Sequence, residues 1–97
     1  MAEVIVIKDD AAIYVDGLPI MGCDMSGLPG DVHALRWYGS NGEIEYSDVT
    51  KPNLALSAEA EIESALGVSL STLITRRTER IAWCDANPYW DNPPDDS

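Results

Sequence analysis

The sequence predicts a small α+β protein in which an antiparallel sheet of about four strands is followed by one or two helices. Three observations predict it. Residues 3–7 and 12–15 form short segments rich in β-branched side chains. Residues 32–46 alternate apolar and polar side chains around an Asn-Gly pair, a pattern typical of a β-hairpin. After Pro52 the apolar residues recur every three or four positions, which is typical of helices.

The first two segments are expected to form a hairpin. Residues 8–11 suit a turn because Asp tolerates turn geometry, and Asp16-Gly17 closes the second strand. Residues 18–31 contain several Gly and Pro residues and no helical period, so we interpret them as an ordered loop. Four apolar side chains are expected to hold that loop on the core: Leu18, Ile20, Met21 and Leu28.

The Asn41-Gly42 pair predicts the turn of a second hairpin, because both residues tolerate the positive φ of a type I′ turn. A two-residue loop there would pair Trp37 with Tyr46, whereas a four-residue loop would keep the same two faces. On either alternative, one face is apolar and the opposite face carries Arg36 and Glu45. The apolar face consists of Leu35, Trp37, Ile44 and Tyr46. We expect the helices to cover this face and to bury Trp37.

Two helices are predicted in the C-terminal half. In the first, Ser57 is a candidate N-cap and Gly67 suits the position after the last turn. The second is expected to begin near Ser69 or Ser71 and to end at about Asp85. Its predicted apolar stripe consists of Leu70, Leu73, Ile74, Ile81 and Cys84.

Arg77 interrupts that stripe. Its aliphatic stem can lie along the core while the guanidinium reaches water or a carboxylate, which is the interpretation we favour. The alternative is an ion pair at an interface with the sheet or with a partner.

Composition limits the possible classes of function. The 97 residues suit one domain, which we place at residues 1–86, followed by a Pro- and Asp-rich tail at 87–97. A net charge of −11 disfavours nucleic-acid and anionic-membrane surfaces, and no apolar run is long enough to cross a membrane. Cys23 and Cys84 are expected to be free thiols in a cytoplasmic protein without a leader peptide.

The sequence contains no pattern of catalytic residues. His33 is the only histidine, and nothing nearby in the sequence supplies a nucleophile or a partner acid. The acidic residues do not match a calcium loop, and the glycines form neither a dinucleotide fingerprint nor a phosphate loop. We therefore predict no enzymatic activity, no cofactor and no metal.

Residues 62–73 resemble a helix-turn-helix, the motif in which a tight Gly turn joins two helices and the second enters the DNA major groove. Arg76, Arg77 and Arg80 would follow as phosphate contacts. Two residues do not fit the motif. Glu63 stands where the motif packs a small residue, and Arg76 stands where it packs an apolar one. The candidate base-reading residues (Ser69, Leu70, Ser71 and Thr75) lack Arg, Gln and Asn. A small DNA-binding regulator is therefore the alternative function, and nucleic acid is an unlikely partner.

From about residue 4 to residue 48 the chain resembles small proteins of tailed bacteriophages and prophages. The resemblance consists of Tyr14-Val15-Asp16-Gly17, residues 24–29 (DMSGLP), residues 32–38 (VHALRWY) and residues 42–46 (GEIEY), in that order. Arg36 replaces the Gln expected in this pattern. The resemblance implies a structural, assembly or accessory protein from a tail or tail-fibre gene region. Its partner would be a tail or tail-fibre protein, in the bacterial host cytoplasm or in the virion.

Candidate partner-binding residues are Trp, Tyr and Arg side chains that the predicted core does not use, because these residue types dominate interface energetics. They are Arg76, Arg80, Trp83, Tyr89 and Trp90. Arg80 precedes Trp83 by three positions, so a cation–π contact between them is possible. The tail pair could instead fold back onto the domain. The sequence leaves the oligomeric state open.

Overall fold

The computed structural model describes residues 3–87, which form one six-stranded antiparallel sheet and two helices. The strands are β1 (Val4–Ile7), β2 (Ala12–Val15), β3 (Leu18–Ile20), β4 (Val32–Trp37), β5 (Gly42–Tyr46) and β6 (Leu54–Leu56). Their order in the sheet is β3-β2-β1-β4-β5-β6. The α+β class and the two predicted hairpins are confirmed, whereas the prediction of about four strands was too low.

The two additional strands are three-residue strands at the sheet edges. β3 pairs with β2 because Asp16 and Gly17 form a tight turn, with φ of 51° and 84°. Two positive φ angles are the requirement of a type I′ hairpin turn. The loop predicted from residue 18 is therefore wrong over its first three residues. β6 pairs with β5 at the opposite edge, with Leu54 opposite Ile44.

The turn of the second hairpin is centred two residues earlier than the predicted turn at Asn41-Gly42, which moves the partner of Trp37 by four positions. The Tyr38 N–H donates to the Asn41 carbonyl at 2.7 Å, and Gly39 has a φ of 103°. Trp37 consequently faces Gly42 rather than Tyr46, and Gly42 belongs to β5. Because the shift is an even number of positions, the predicted faces survive it.

The core lies between one face of the sheet and the helices. Trp37 is 1% exposed, Leu35 and Ile44 are buried beside it, and Tyr46 is half-buried, as the sequence predicts. The other buried apolar residues of this core are Val4, Val6, Ile13, Cys23, Val32, Leu56, Ile62, Leu66, Leu70 and Leu73. Val4 and Val6 of β1 stand directly opposite Trp37 and Leu35, which places the central strands under the helices.

The first helix, α1 (Ala60–Leu66), begins three residues after Ser57. The Glu61 carboxylate accepts hydrogen bonds from the Ser57 N–H at 2.6 Å and the Ala58 N–H at 2.9 Å. These backbone donors lower the pKa of Glu61. Gly67 ends the helix with a φ of 78°, which confirms its predicted position.

The second helix, α2 (Leu70–Ala86), is capped by Ser69, whose hydroxyl accepts from the Thr72 N–H at 3.1 Å. Its predicted bounds are therefore confirmed to within a residue. The predicted stripe is wrong at its C-terminal end, where Arg80 is 8% exposed and Cys84 is exposed. Arg80 lies one turn after Arg77, on the side that the strand 18–20 and the segment after it cover.

No helix within residues 3–87 is long and apolar enough to cross a membrane. Cys23 is buried and its thiol donates to the Ile20 carbonyl, whereas Cys84 lies at the surface, so both are free thiols, as the sequence predicts.

Candidate interaction surface

Arg77 ties α2 to the sheet. Its Nε donates to the Ile13 carbonyl at 3.3 Å and its Nη2 donates to the Leu18 carbonyl at 2.9 Å. The favoured prediction had water or a carboxylate as the partner of this guanidinium, whereas two backbone carbonyls of the sheet bind it. The side chain serves an interface with the sheet, as the alternative has it, although its acceptors are backbone carbonyls and not a carboxylate.

Arg76 binds the segment that follows β3, which we call the strap and define as residues 21–28. Its Nη1 donates to the Ser26 carbonyl at 2.8 Å and to the Asp24 carbonyl at 3.3 Å. The Asp24 carboxylate accepts from the Ser26 N–H at 2.9 Å and lies 3.9 Å from the Arg76 Nε. Hydrogen bonds from Ser26, chiefly its backbone N–H, lower the pKa of Asp24, and the charge of Arg76 adds to that effect.

Arg80 lies between the strap and Trp83. Its Nε donates to the Met21 carbonyl at 3.0 Å, and its guanidinium carbon lies 4.7 Å from the centre of the Trp83 ring. The predicted cation–π contact is thus confirmed. A Cβ added to Gly22 would lie 2.7 Å from the guanidinium, so this glycine allows the close approach of backbone and side chain. The Arg80 Nη2 is buried without a hydrogen-bond acceptor among residues 3–87.

Three large apolar side chains are exposed next to these arginines. Leu18 is 66% exposed, Met21 is 40% exposed and Trp83 is 36% exposed. The Leu18 carbonyl accepts from Arg77 and the Met21 carbonyl accepts from Arg80, which follows Arg77 by one helical turn and also contacts the Trp83 ring. We call Leu18, Met21, Arg80 and Trp83 the β3–α2 surface. It combines Trp, Met and Arg, three residue types enriched at protein interfaces.

The structure brings together part of the predicted partner-binding set. Arg80 contacts Trp83, and Arg76 lies one helical turn before Arg80, but both guanidinium groups bind the strap, which reduces what they offer to a partner. Tyr89 and Trp90 lie outside the described residues.

The sequence pattern did not predict that Leu18 and Met21 belong to this surface. Four side chains were expected to hold a loop on the core. Of these, Ile20 and Leu28 pack against it, whereas Leu18 and Met21 are exposed. The Asp16-Gly17 pair was the available signal, because a hairpin turn there returns residue 18 to a sheet edge, where one side of the strand is open.

The helix-turn-helix segment has the predicted helices and Gly turn, but its arginines are engaged elsewhere. Arg76, Arg77 and Arg80 donate to carbonyls of residues 13–26. The Ser69 hydroxyl, a candidate base reader, caps α2. Phosphate contacts by these arginines would have to use guanidinium N–H groups other than those that the carbonyls engage.

His33 lies apart from this surface. Its Nδ1 is 3.0 Å from the Asp9 carboxylate, and both side chains are accessible to solvent. Within residues 3–87, no group of three or more His, Cys, Asp or Glu side chains is placed to hold a metal ion.

Comparisons with known proteins identify no relative. No protein-family model matches the chain, and neither the curated proteins nor the solved structures contain a significant match.

Proposed function

We propose that this chain is a non-enzymatic protein that binds another protein through the β3–α2 surface. One observation carries the proposal: Met21 and Trp83 expose apolar surface beside the fixed guanidinium of Arg80, and Leu18 does so one helical turn away, where its carbonyl binds Arg77. A fixed Arg–Trp pair loses little side-chain freedom on binding, so more of its contact energy is available for affinity. Exposed apolar side chains that are grouped together are typical of interaction sites.

The identity of the partner in this proposal comes from the sequence resemblance. The segments at residues 14–17, 24–29, 32–38 and 42–46 resemble small phage and prophage proteins from tail and tail-fibre gene regions. We therefore propose a tail or tail-fibre protein as the partner, bound during assembly in the host cytoplasm or in the virion.

Direct binding to the tail and tail-fibre proteins encoded beside the gene tests this function. Each would be purified and titrated against the full chain by calorimetry. Trp83→Ala and Met21→Ser are expected to weaken binding at least tenfold, because truncation of an interface anchor costs about 2 kcal/mol or more. Val49→Ser is the matched control, since Val49 is 97% exposed and lies outside the surface. Full affinity in both surface variants, or equal losses in the control, would contradict the proposal.

A small DNA-binding regulator remains the second candidate because the predicted helices and Gly turn are present. The carbonyl contacts of Arg76, Arg77 and Arg80 and the net charge of −11 argue against it. A gel shift and footprint on the gene's own upstream DNA at low salt distinguish the two. Protected bases that disappear in Thr75→Ala would favour the regulator.

A further inference from the structure

The second face of the sheet, opposite the core, is not covered by either helix. Strand register places two rows of side chains on this open face. One row runs Pro19, Tyr14, Ile5, Arg36, Glu43, Ala55, and the next runs Ala12, Ile7, Ala34, Glu45. Ile5, Ile7 and Tyr14 are half-buried and lie outside the core cluster, whereas the two alanines that flank Ile7, Ala12 and Ala34, are buried. The open face therefore has an apolar part over β1 and β2 and a charged part over β4 and β5.

The charged part has one carboxylate more than it has cations. The Arg36 Nη1 lies 2.6 Å from the Glu45 carboxylate and 3.7 Å from that of Glu43, so one guanidinium serves two acids. Asn53 adds only a neutral amide at 3.3 Å from Glu43. Within residues 3–87, five of the chain's six cationic side chains bind internal partners: Arg36, Lys51, Arg76, Arg77 and Arg80. The sixth, Lys8, lies close enough to Asp31 to lower the pKa of that carboxyl, so a second cation beside Glu43 would come from outside the described residues.

The dimensions of the open face suit a helix that covers the apolar part and reaches the edge of the charged part. Neighbouring strands are about 4.8 Å apart, so the three strands β2, β1 and β4 present a strip about 10–14 Å wide. An α-helix with its side chains is about 10–12 Å in diameter. The opposite face of the same sheet is already covered by helices, which is the usual way for a sheet to bury an apolar face.

We propose that the open face binds an amphipathic helix of a partner protein, with apolar residues over Ile5, Ile7 and Tyr14 and Lys or Arg residues beside Glu43. Charge complementarity decides the occupant. A second copy of this chain would bring another net charge of −11 and another acid-rich sheet face, whereas a basic helix places cations beside Glu43. This site is separate from the β3–α2 surface, and its test does not depend on that surface.

The test uses the full chain and a synthetic amphipathic peptide of Leu and Lys, about 18 residues long so that its helix is stable enough to form. Titration into the isotope-labelled protein is expected to shift the amide resonances of β1, β2 and β5 in a saturable manner. A peptide with Glu in place of Lys is expected not to bind.

Substitutions test whether the peptide binds to the open face. Ile5→Lys is expected to weaken binding at least tenfold, and Val49→Lys, which makes the same change in charge on an exposed side chain, is expected to retain it. Glu43→Gln gives a second readout that leaves the apolar part intact, with an expected loss of several-fold and a weaker dependence on salt.

Three results would overturn the proposal. The first is that the shifts map to α1 or to the β3–α2 surface. The second is that Val49→Lys weakens binding as much as Ile5→Lys, since the attraction would then be to overall charge. The third is a homodimer, measured by sedimentation, that Ile5→Lys converts to monomers, because the occupant would then be a second copy.

Discussion

Residue 42 must be glycine because the backbone of the neighbouring strand lies very close to it. The Asn41-Gly42 sequence suggests a different reason, namely a turn. The φ of Gly42 lies outside the left-handed region, whereas Gly39 and Gly67 have φ of 103° and 78°. A Cβ at residue 42 would overlap the carbonyl oxygen of Arg36 and lie 2.9 Å from the Trp37 Cα. Both atoms belong to the backbone of β4, so neither can move without disturbing the pairing of β4 and β5.

Gly42→Ala is therefore expected to destabilise the protein by about 1–3 kcal/mol, the range typical of an overpacked site. Urea unfolding followed by fluorescence measures it. Gly30→Ala is the matched control, because an added Cβ at residue 30 meets no atom within 4 Å, and its free energy of unfolding should change by less than about 0.5 kcal/mol. Equal stability of the two variants would contradict the close approach.

Trp37 is the largest fully buried side chain, and it packs where β1, β4 and the helices meet. Trp37→Ala is expected to cost about 3–5 kcal/mol, because the cavity adds to the lost transfer free energy. That is a large part of the stability of a domain of this size. Trp83→Ala, at a residue that is 36% exposed, should cost much less. An unchanged urea midpoint for Trp37→Ala would exclude this description of the core.

At the scale of elements, the strap and β3 owe much of their attachment to the arginines of α2. Arg77 makes two hydrogen bonds to carbonyls on strands β2 and β3. Hydrogen bonds that involve a charged group contribute about 1.5–3 kcal/mol. The side chain is half-buried, so solvent screening reduces that value.

Arg77→Met is expected to destabilise the protein by about 1–2 kcal/mol and to raise amide hydrogen exchange in β3 more than in β4. Arg77→Lys keeps the charge but cannot reach two carbonyls with one planar group, so it should recover only part of the loss. Glu79→Met, at an exposed position of the same helix, controls for the new side chain. Uniform exchange across the sheet in Arg77→Met would show that the arginine does not hold β3.

At the scale of the whole molecule, acid should weaken the fold through specific carboxylates. Hydrogen bonds from Thr50 lower the pKa of Asp48, the Lys51 ammonium lowers that of Asp31, and backbone N–H groups of Ser57 and Ala58 lower that of Glu61. The unfolded chain takes up protons on these groups at a higher pH than the folded protein does. Their contribution to stability is therefore present above the unfolded pKa values of about 4, and it is lost as the pH falls below them.

The midpoint of urea unfolding is accordingly expected to fall between pH 5 and pH 3, as the folded protein loses these contributions. Glu61→Gln should lower the midpoint at pH 7 and flatten its decline in acid, because Gln presents a neutral oxygen to the N–H groups at the start of α1. Glu59→Gln is the matched control on the same turn. A decline of the same steepness in Glu61→Gln and in the unaltered protein would rule out this role for Glu61.

Local sequence determined the features that depend on neighbouring residues. The apolar face of Leu35, Trp37 and Ile44 follows from alternation along a strand, and it survives the shift of the turn because side chains alternate with a period of two. Ser69 and Gly67 mark the helix ends because their contacts lie within three or four residues.

Only the tertiary structure decided the features that join distant parts of the chain. Arg77 and Leu18 are 59 positions apart, and Arg76 and Ser26 are 50 positions apart, so no local pattern reveals that these arginines bind the strap and β3. The short strand β3 is stable because it is paired with β2 on one side and held by α2. The helix propensity of arginine is the same whether its guanidinium binds water, phosphate or a carbonyl. Only the surroundings of the side chain in the folded protein determine which of these it binds.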